Sequence, residues 1–388
     1  METTIVSQGS GREQDPSRLE HPLHRYLDPV RAVPHPVVQV LDEQGIPVGP
    51  APPIAADDLL QLYRWMVRVR VFDTRMVNLQ RQGRVAFFVP SWGEEAVQIG
   101  TAHALEPHDW IFSAYREQGT AMMRGYPPWK LICQILGNGE DLLKGRQMPD
   151  HFGAAEYRFT VASSPVGTQI PQAVGGALAL RLRGEPSVAV TYFGDGASST
   201  GDFHAGLTFA AVQQAPVVFF CKNNGWAISL PTARQCRAER LADKAIGYGL
   251  PGITVDGNDI LAVCTVARDA VDWARSGRGP VLLEFLTQRM GPHSTADDVT
   301  RYRPNELLEP WKKRDPIHRF RLYLEGRGLW SVAAEQEFRA EVDEWFNEAI
   351  RRAEHQPPPA PETMFDDVYA VTPWHLHEQQ DEVLQCRK

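Results

Sequence analysis

The chain of 388 residues is long enough for one large α/β domain or two smaller ones. Its formal net charge of -8 argues against nonspecific nucleic-acid binding, and it contains no apolar run of the roughly 18 residues that a membrane-spanning helix requires. The five cysteines have neither C-x-x-C nor metal-site spacing. These features predict reduced thiols in a cytoplasmic protein that binds neither nucleic acid nor membranes.

Residues 1–56 are rich in proline and polar side chains, and they predict an N-terminal arm with one strand at Val37–Leu41. Such arms are often disordered, or they wrap a partner subunit. The first residues lack the basic-then-apolar pattern of a secretory signal. They are also poor in arginine and contain acidic residues, which disfavours a mitochondrial transit peptide and supports the predicted cytoplasmic location.

Two helices are predicted in the first third of the chain. Asp57 or Asp58 is a suitable cap for a helix that runs to about Gln82. A second helix opens at Gly93-Glu94-Glu95, where carboxylates in the first turn suit the helix dipole. These glutamates are either simple N-terminal charge or part of a site, and the residues alone leave both interpretations open.

Two short apolar runs predict buried strands with a helix between them: Val188–Phe193, then His204–Gln213 as the helix, then Val217–Cys221. Each strand ends in polar residues, Gly194-Asp195-Gly196 and Asn223-Asn224-Gly225. In a β-α-β unit both clusters lie at the carboxyl ends of neighbouring parallel strands. Open α/β sheets bind their ligands at that edge.

The side chains of the two clusters indicate a metal and an anion. Asp195 offers a carboxylate and Asn224 an amide carbonyl, and such oxygen ligands suit Mg²⁺, which is often shared with phosphates. Gly194 and Gly196 allow close approach of the backbone to a bulky anion, and the following helix offers its N-terminus to it. Alone, Gly-Asp-Gly is more often a turn before a helix cap. The matching Asn-Asn on the next strand favours a site for a metal and a diphosphate.

Two other phosphate-binding sites are rejected on the residues. A nicotinamide fingerprint, G-x-G-x-x-G, needs a third glycine, but Ser199 stands there. It also needs an acidic residue at the end of the next strand, where the sequence has Lys222, Asn223 and Asn224. A nucleotide-binding P-loop needs G-x-x-x-x-G-K-[ST], which does not occur in the sequence.

The remaining elements follow the same alternation of strand and helix. They are strands at Gly252–Val255 and Pro280–Leu286, a helix at Ile260–Ser276, and helices at Glu309–Gly328 and Ser331–His355. A loop from Arg289 to Asp298 follows the last strand and contains His293 between Gly-Pro and Ser-Thr. A loop histidine is usually exposed and without a task, but this one lies at a strand's carboxyl end.

The text from YFGDGASSTGD to FFCKNNGWAIS resembles the thiamine diphosphate signature, in which Gly-Asp-Gly is followed by Asn-Asn after one helix. From Leu59 to His375 the chain resembles the alpha subunit of the E1 component of 2-oxoacid dehydrogenase complexes. GRQMP and SSPVGTQIPQAVG are similar to the branched-chain type. The resemblance implies an α/β thiamine diphosphate-binding fold with a mostly parallel sheet flanked by helices. It divides the chain into an arm (1–56), the binding domain (57–308) and C-terminal helices with a tail (309–388) that packs on the domain or on a partner subunit.

The resemblance also assigns roles to individual residues. It implies that His293 is catalytic. It implies contacts with thiamine diphosphate from Tyr115, Arg116, Ser164, Val166, Gly194, Gly196, Ala197, Lys222 and His293. It implies Mg²⁺ ligation by Asp195, Asn224 and the main-chain carbonyl of Trp226. A structural potassium site is implied at Ser163, Pro165, Thr168 and Gln169.

The implied activity is thiamine diphosphate-dependent oxidative decarboxylation of branched-chain 2-oxoacids, of the 3-methyl-2-oxobutanoate dehydrogenase type, with acyl transfer to the lipoyl group of an E2 acyltransferase. The family's carboxylate that activates the cofactor belongs to a beta subunit, so the resemblance implies an α2β2 heterotetramer. Two alternatives stay open. One is a pyruvate or acetoin dehydrogenase alpha subunit, and the other is a non-catalytic scaffold of the same fold.

Overall fold

The computed structural model describes residues 36–386, in which short strands alternate with helices. The strands are β1 (Trp110–Phe112), β2 (Ala189–Gly194), β3 (Val217–Asn223), β4 (Trp226–Ala227), β5 (Leu230–Pro231), β6 (Gly252–Asp256) and β7 (Val281–Leu286). The helices are α1 (Ala56–Arg81), α2 (Glu95–His103), α3 (Gln118–Met123), α4 (Pro128–Leu136), α5 (Gln169–Leu182), α6 (Gly201–Gln213), α7 (Ile260–Arg275), α8 (Glu309–Lys312), α9 (Pro316–Gly326), α10 (Val332–Glu354) and α11 (Trp374–Gln385).

One parallel sheet lies at the centre of the chain from Val37 onward, with its strands in the order β1-β2-β3-β7-β6. The pair β4 and β5 forms a separate small antiparallel hairpin. The three inner strands, β2, β3 and β7, are almost entirely buried, as expected when helices cover both faces of a parallel sheet. The predicted α/β class, with a mostly parallel sheet flanked by helices, is confirmed.

Alternate residues of the central strands enter two separate hydrophobic cores. In β2, Val190 and Tyr192 pack with α1, α2 and α7 on one face, while Ala189 and Phe193 pack with α5 and α6 on the other. Side chains of a strand point alternately to opposite faces, so an unbroken apolar run is what two covered faces require. The C-terminal helices α9 and α10 extend the first of these cores by packing on α1.

The register of β2 and β3 brings the two polar clusters together. Gly194 is paired with Lys222, so both strands end at the same edge of the sheet. Helix α6 begins just beyond, after Thr200, whose hydroxyl accepts a hydrogen bond from the amide of Phe203 at 3.3 Å. The predicted β-α-β unit is therefore confirmed, with the helix three residues longer at its start than the predicted His204.

Several predicted elements differ from the structure. The aspartate cap of α1 is wrong, because Ala55 precedes the helix and both aspartates lie in its first turn. The single helix predicted from Glu309 is also wrong: it is divided into α8 and α9, since Asp315 caps a new helix at Pro316. Val38 forms only an isolated bridge to Val255 instead of a full strand. The predicted arm lies largely outside the described residues, and the boundaries at 56 and 308 stay predictions.

Candidate active site

A cavity of about 270 Å³ opens at the carboxyl ends of β2 and β3. The sequence-predicted residues that line it are Tyr115, Arg116, Ser163, Val166, Gln169, Gly194, Asp195, Gly196, Ala197, Lys222, Asn224, Trp226 and His293. It is also lined by Glu94, whose role the sequence left open, and by residues to which the sequence assigned no site role: Ala114, Thr200, Ala227 and Ile228. Three further predicted residues of the segment 163–169 do not line the cavity: Ser164, Pro165 and Thr168.

Asp195, directly after β2, is almost fully buried. Its Oδ2 accepts hydrogen bonds from the Thr232 hydroxyl at 2.8 Å and from the Gln235 amide at 2.9 Å. Burial raises the pKa of this carboxyl, while the two donors lower it. Thr232 and Gln235 fix the carboxylate from beyond the β4–β5 hairpin, a contact that no local sequence pattern indicates.

Lys222, at the end of β3, is buried between two carboxylates. Its Nζ lies 2.9 Å from Glu94 and 2.5 Å from Glu117. Burial alone would lower the Lys222 pKa, but the two carboxylates raise it and keep the ammonium charged. The Lys222 ammonium is thus already paired with carboxylates of the protein. Its predicted contact with a diphosphate stays a prediction.

Asn224 is tied to the same cluster of charges. Its Nδ2 donates to Glu94 Oε1 at 2.6 Å, and its Oδ1 accepts from the Trp226 amide at 3.2 Å. Glu94, the residue directly before α2, therefore contacts both Lys222 and Asn224. Of the two readings of this glutamate that the sequence left open, the structure favours the site.

His293 lies on the loop after β7, with its ring against Arg116. Nη2 of Arg116 is 3.1 Å from His293 Nδ1 and 2.6 Å from the His293 carbonyl. Because a guanidinium has only donors, Nδ1 accepts and the ring proton of the neutral imidazole is on Nε2. Burial, Arg116 and Arg289 lower the pKa of His293 to about 3, so the ring is neutral at physiological pH.

The loop that carries His293 is fixed at its base. Asp297 accepts from the His293 amide at 2.7 Å and from the Tyr302 hydroxyl at 2.5 Å. The guanidinium of Arg289 donates to the same tyrosine oxygen at 2.7 Å. These contacts, together with those from Arg116, determine where the histidine ring lies.

Tyr115 lies between two histidines at one wall of the cavity. Its ring stacks on His151 with centroids 6.4 Å apart and meets His293 edge-on at 6.0 Å. His151 also accepts at Nε2 from the Ser164 hydroxyl, at 2.9 Å, because its Nδ1 faces the Pro149 carbonyl at 3.0 Å. The structure thereby connects Ser164 to the cavity wall through His151, for which the sequence suggested no role.

The four residues predicted to bind potassium lie on the turn that leads into α5, where several of their groups form hydrogen bonds within the protein. The Thr168 hydroxyl donates to the Pro165 carbonyl at 3.1 Å, and the Gln169 amide donates to the Tyr192 carbonyl at 2.9 Å. Gly167, in the middle of this turn, has a positive φ of 97°. A side chain there would also meet the Thr200 hydroxyl at 2.5 Å, so only glycine fits the turn.

The donor set at the cavity fits an oxygen-ligated cation with a bound diphosphate. Asp195 supplies a carboxylate, Asn224 an amide oxygen and Trp226 a main-chain carbonyl, and all three line the cavity. A Cβ on Gly196 would come within 2.8 Å of Ala227, so this position excludes larger residues, while space is open beside Gly194. Arg289 Nη1 lies 3.5 Å from the Trp226 carbonyl, which leaves that oxygen a second lone pair for a metal.

Residues 36–386 contain neither a ready-made metal cluster nor a membrane-spanning helix. No group of three or more His, Cys, Asp or Glu residues is arranged there to hold a metal ion by itself. None of the helices in that range combines the length and the apolar character that crossing a membrane demands.

The sequence of this chain is similar to those of several known proteins. The family described as "Dehydrogenase E1 component" matches residues 63–362. The chain is 42% identical over 349 residues to "2-oxoisovalerate dehydrogenase subunit alpha, mitochondrial" of Homo sapiens, covering 89% of this chain and 78% of the relative. It is 42% identical over 357 residues to the protein of that name in Dictyostelium discoideum, covering 91% and 81%. It is 42% identical over 348 residues to "2-oxoisovalerate dehydrogenase subunit alpha 2, mitochondrial" of Arabidopsis thaliana, covering 89% and 74%.

These names contradict the cytoplasmic location predicted from the sequence, because the relatives are mitochondrial subunits and point to the mitochondrion. The prediction relied on cysteine spacing and on the composition of the first residues. Neither property determines the compartment of a folded domain, since burial keeps most of these thiols unreactive wherever the protein resides. Cys133, Cys221 and Cys264 are indeed buried and unpaired.

Proposed function

Since this chain belongs to the dehydrogenase E1 component family, we propose that it is the alpha subunit of a branched-chain 2-oxoacid dehydrogenase. The family is thiamine diphosphate-dependent, and the chain is an E1 alpha subunit of a multienzyme complex. The names of the relatives support 2-oxoisovalerate as the substrate type. The observation that carries the proposal is the cavity in which Asp195, Asn224 and His293 converge from three separate loops.

Thiamine diphosphate supplies the carbanion chemistry that oxidative decarboxylation of a 2-oxoacid requires. The residues of this chain would hold and orient it. Asp195, Asn224 and the Trp226 carbonyl would bind Mg²⁺, and Gly194, Gly196 and Ala197 would face the diphosphate. His293 would present its Nε2–H to the reacting end, where a neutral imidazole donates a hydrogen bond or exchanges a proton. A potassium ion at the turn Ser163–Gln169 would brace the backbone beside the cofactor.

We further propose that the active protein is an α2β2 heterotetramer with a beta subunit, and that it transfers its acyl product to a lipoyl-bearing E2 acyltransferase. The small volume of the cavity supports a site shared between two subunits. The cavity's volume of about 270 Å³ is below the usual 300–1,000 Å³ of small-molecule pockets, so thiamine diphosphate would need a further wall from the beta subunit.

Calorimetry tests the cofactor site. Thiamine diphosphate and Mg²⁺ are titrated into this chain alone, into its complex with the beta subunit, and into the same complex carrying Asp195→Ala. We expect saturable binding that requires the partner, the metal and Asp195, because alanine removes the only carboxylate ligand of the proposed set. Equal binding by the Asp195→Ala complex would contradict the metal site. No binding in any combination would favour the scaffold reading.

Substrate preference is tested with the same complex. We expect turnover of 3-methyl-2-oxobutanoate to exceed that of pyruvate, as the relatives' names suggest. The ratio of the two kcat/KM values is measured at saturating cofactor, so that cofactor affinity does not enter the comparison. A ratio favouring pyruvate would assign the chain to a pyruvate or acetoin dehydrogenase instead.

A further inference from the structure

We propose that Glu94 is the positioning residue that fixes the Asn224 amide with its oxygen available to the metal. The inference rests on the proposed function and adds a residue outside the metal-ligand set. Glu94 is 1% exposed and contributes to the cavity lining, although it precedes α2 by sequence and lies far along the chain from Asn224. A carboxylate in that position needs a structural reason, since burying a charge is costly unless it is paired.

The contacts of Glu94 divide its two oxygens between two donors. Oε1 accepts from Asn224 Nδ2 at 2.6 Å, and Oε2 lies 2.9 Å from Lys222 Nζ. Both partners are donors, so Glu94 acts here only as an acceptor. An ionised carboxylate satisfies that requirement, and charge-assisted hydrogen bonds of this kind are the stronger ones.

The orientation of Asn224 follows from this arrangement. An amide side chain has one end that donates and one that accepts, and only the accepting end binds a cation. With Nδ2 held on Glu94, Oδ1 is directed to the opposite side, where it also accepts from the Trp226 amide at 3.2 Å. Glu94 thus selects one of two amide orientations of nearly equal shape, which is the role of an outer-shell partner at a metal site.

Glu117 provides a matched control within the same cluster. It is also fully buried and pairs with Lys222, at 2.5 Å, but it accepts its hydrogen bond from the backbone amide of Arg116 at 3.1 Å and not from Asn224. Neutralising either glutamate removes one buried negative charge beside the same lysine. Only the change at Glu94 alters the group that faces Asn224.

Glu94→Gln should reverse the Asn224 amide. Lys222 attracts the oxygen of the new side chain, which leaves its NH₂ group facing Asn224 Nδ2. Two donors cannot bond to each other, so Asn224 turns its oxygen toward Gln and its NH₂ toward the metal position. We expect Mg²⁺ affinity to fall roughly 10- to 100-fold, the range typical for outer-shell partners.

The experiment measures the apparent Kd of Mg²⁺ by calorimetry at saturating thiamine diphosphate, in the assembled complex with the beta subunit. Glu94→Gln should weaken Mg²⁺ binding by that factor, whereas Glu117→Gln should stay within about threefold of the wild type. Equal weakening in both variants would overturn the proposal, because it would assign the effect to charge alone. Unchanged binding in Glu94→Gln would overturn it as well.

A second variant covers the case in which Glu94→Gln does not assemble. Glu94→Asp keeps the charge beside Lys222 but withdraws the carboxylate from Asn224 by one methylene, so Mg²⁺ binding should again weaken while assembly is retained. Wild-type affinity in the assembled Glu94→Asp complex would count against the proposal. A wild-type complex that binds no Mg²⁺ with the cofactor would instead contradict the proposed function itself, so the two failures are distinguishable.

Discussion

Replacing His293 with alanine is expected to reduce kcat by about 10²- to 10⁴-fold, the usual contribution of a positioned acid–base group. The imidazole lines the cavity, and its Nδ1 is held by Arg116, so one ring nitrogen with its proton remains for chemistry. The affinity for Mg²⁺ should change only a few fold, because the proposed metal ligands belong to other loops. The measurement is dye-linked oxidation of the 2-oxoacid by the complex with the beta subunit.

The matched control for this variant is His204→Ala. His204 is exposed on α6 and hydrogen-bonds to the Tyr248 hydroxyl, away from the cavity lining. Its removal should leave kcat unchanged. If His293→Ala retained more than a third of the wild-type kcat, a role for this ring in the reaction would be excluded.

The depressed pKa of His293 gives the expected pH dependence its sign. A histidine with a pKa of about 3 releases its proton well below neutral pH, so the ring stays uncharged between pH 5 and pH 8. The pH profile of kcat should therefore show no inflection near pH 6.5 that belongs to His293, so that replacing this residue in His293→Gln removes no inflection from the profile. Such an inflection, if observed, would mean that the ring is charged in the working complex.

Replacing Arg319 with methionine is expected to destabilise the protein by about 3–5 kcal/mol, the cost of breaking a buried ion pair from one side. Arg319 of α9 is 1% exposed and lies 2.9 Å from Asp256 and 3.8 Å from Asp259. It also donates to the carbonyls of Leu41 and Asp42. Methionine retains much of the volume but leaves two buried carboxylates without their cation.

The loss of stability should extend beyond the ion pair, because the Asp259 carboxylate that loses Arg319 also makes other hydrogen bonds. Its carboxylate accepts from the amides of Val40 and Leu41 at 2.6 and 2.7 Å, and it caps α7. The urea midpoint of the assembled complex measures the effect. Arg321→Met on the same helix removes a partly exposed pair with Glu325 at 3.7 Å and an exposed contact with His318, and it should cost about 0–1 kcal/mol. Similar midpoints for both variants would contradict the argument.

The sequence alone determined the centre of the fold. The runs Val188–Phe193 and Val217–Cys221 are almost entirely apolar because both of their faces are buried, and that pattern is readable without coordinates. The polar residues after each strand could be placed at one edge of a sheet, since consecutive strands of a β-α-β unit end on the same side. Local patterns and neighbouring positions were sufficient for Asp195 and Asn224.

The sequence was weaker where an outcome depended on competition between local signals. It predicted one helix from Glu309, but Asp315 and Pro316 form a strong start signal that begins α9 anew. It assigned the cap of α1 to Asp57 or Asp58, although the helix starts at Ala56 and has both carboxylates in its first turn. Such boundaries are set by small energy differences that packing easily reverses.

Only the tertiary structure decided which side chains support the site. Glu94 meets Asn224 across 130 positions, and Gln235 meets Asp195 across 40, so no spacing rule could pair them. The neutral state of His293 is likewise a consequence of its burial beside Arg116, which the chain reaches from a loop 177 positions away. Hydrogen bonds and charges act through space, whereas sequence patterns report periodicity along the chain. The residues that we propose as metal ligands are therefore visible in the sequence, and the residues that hold and charge them are visible only in the fold.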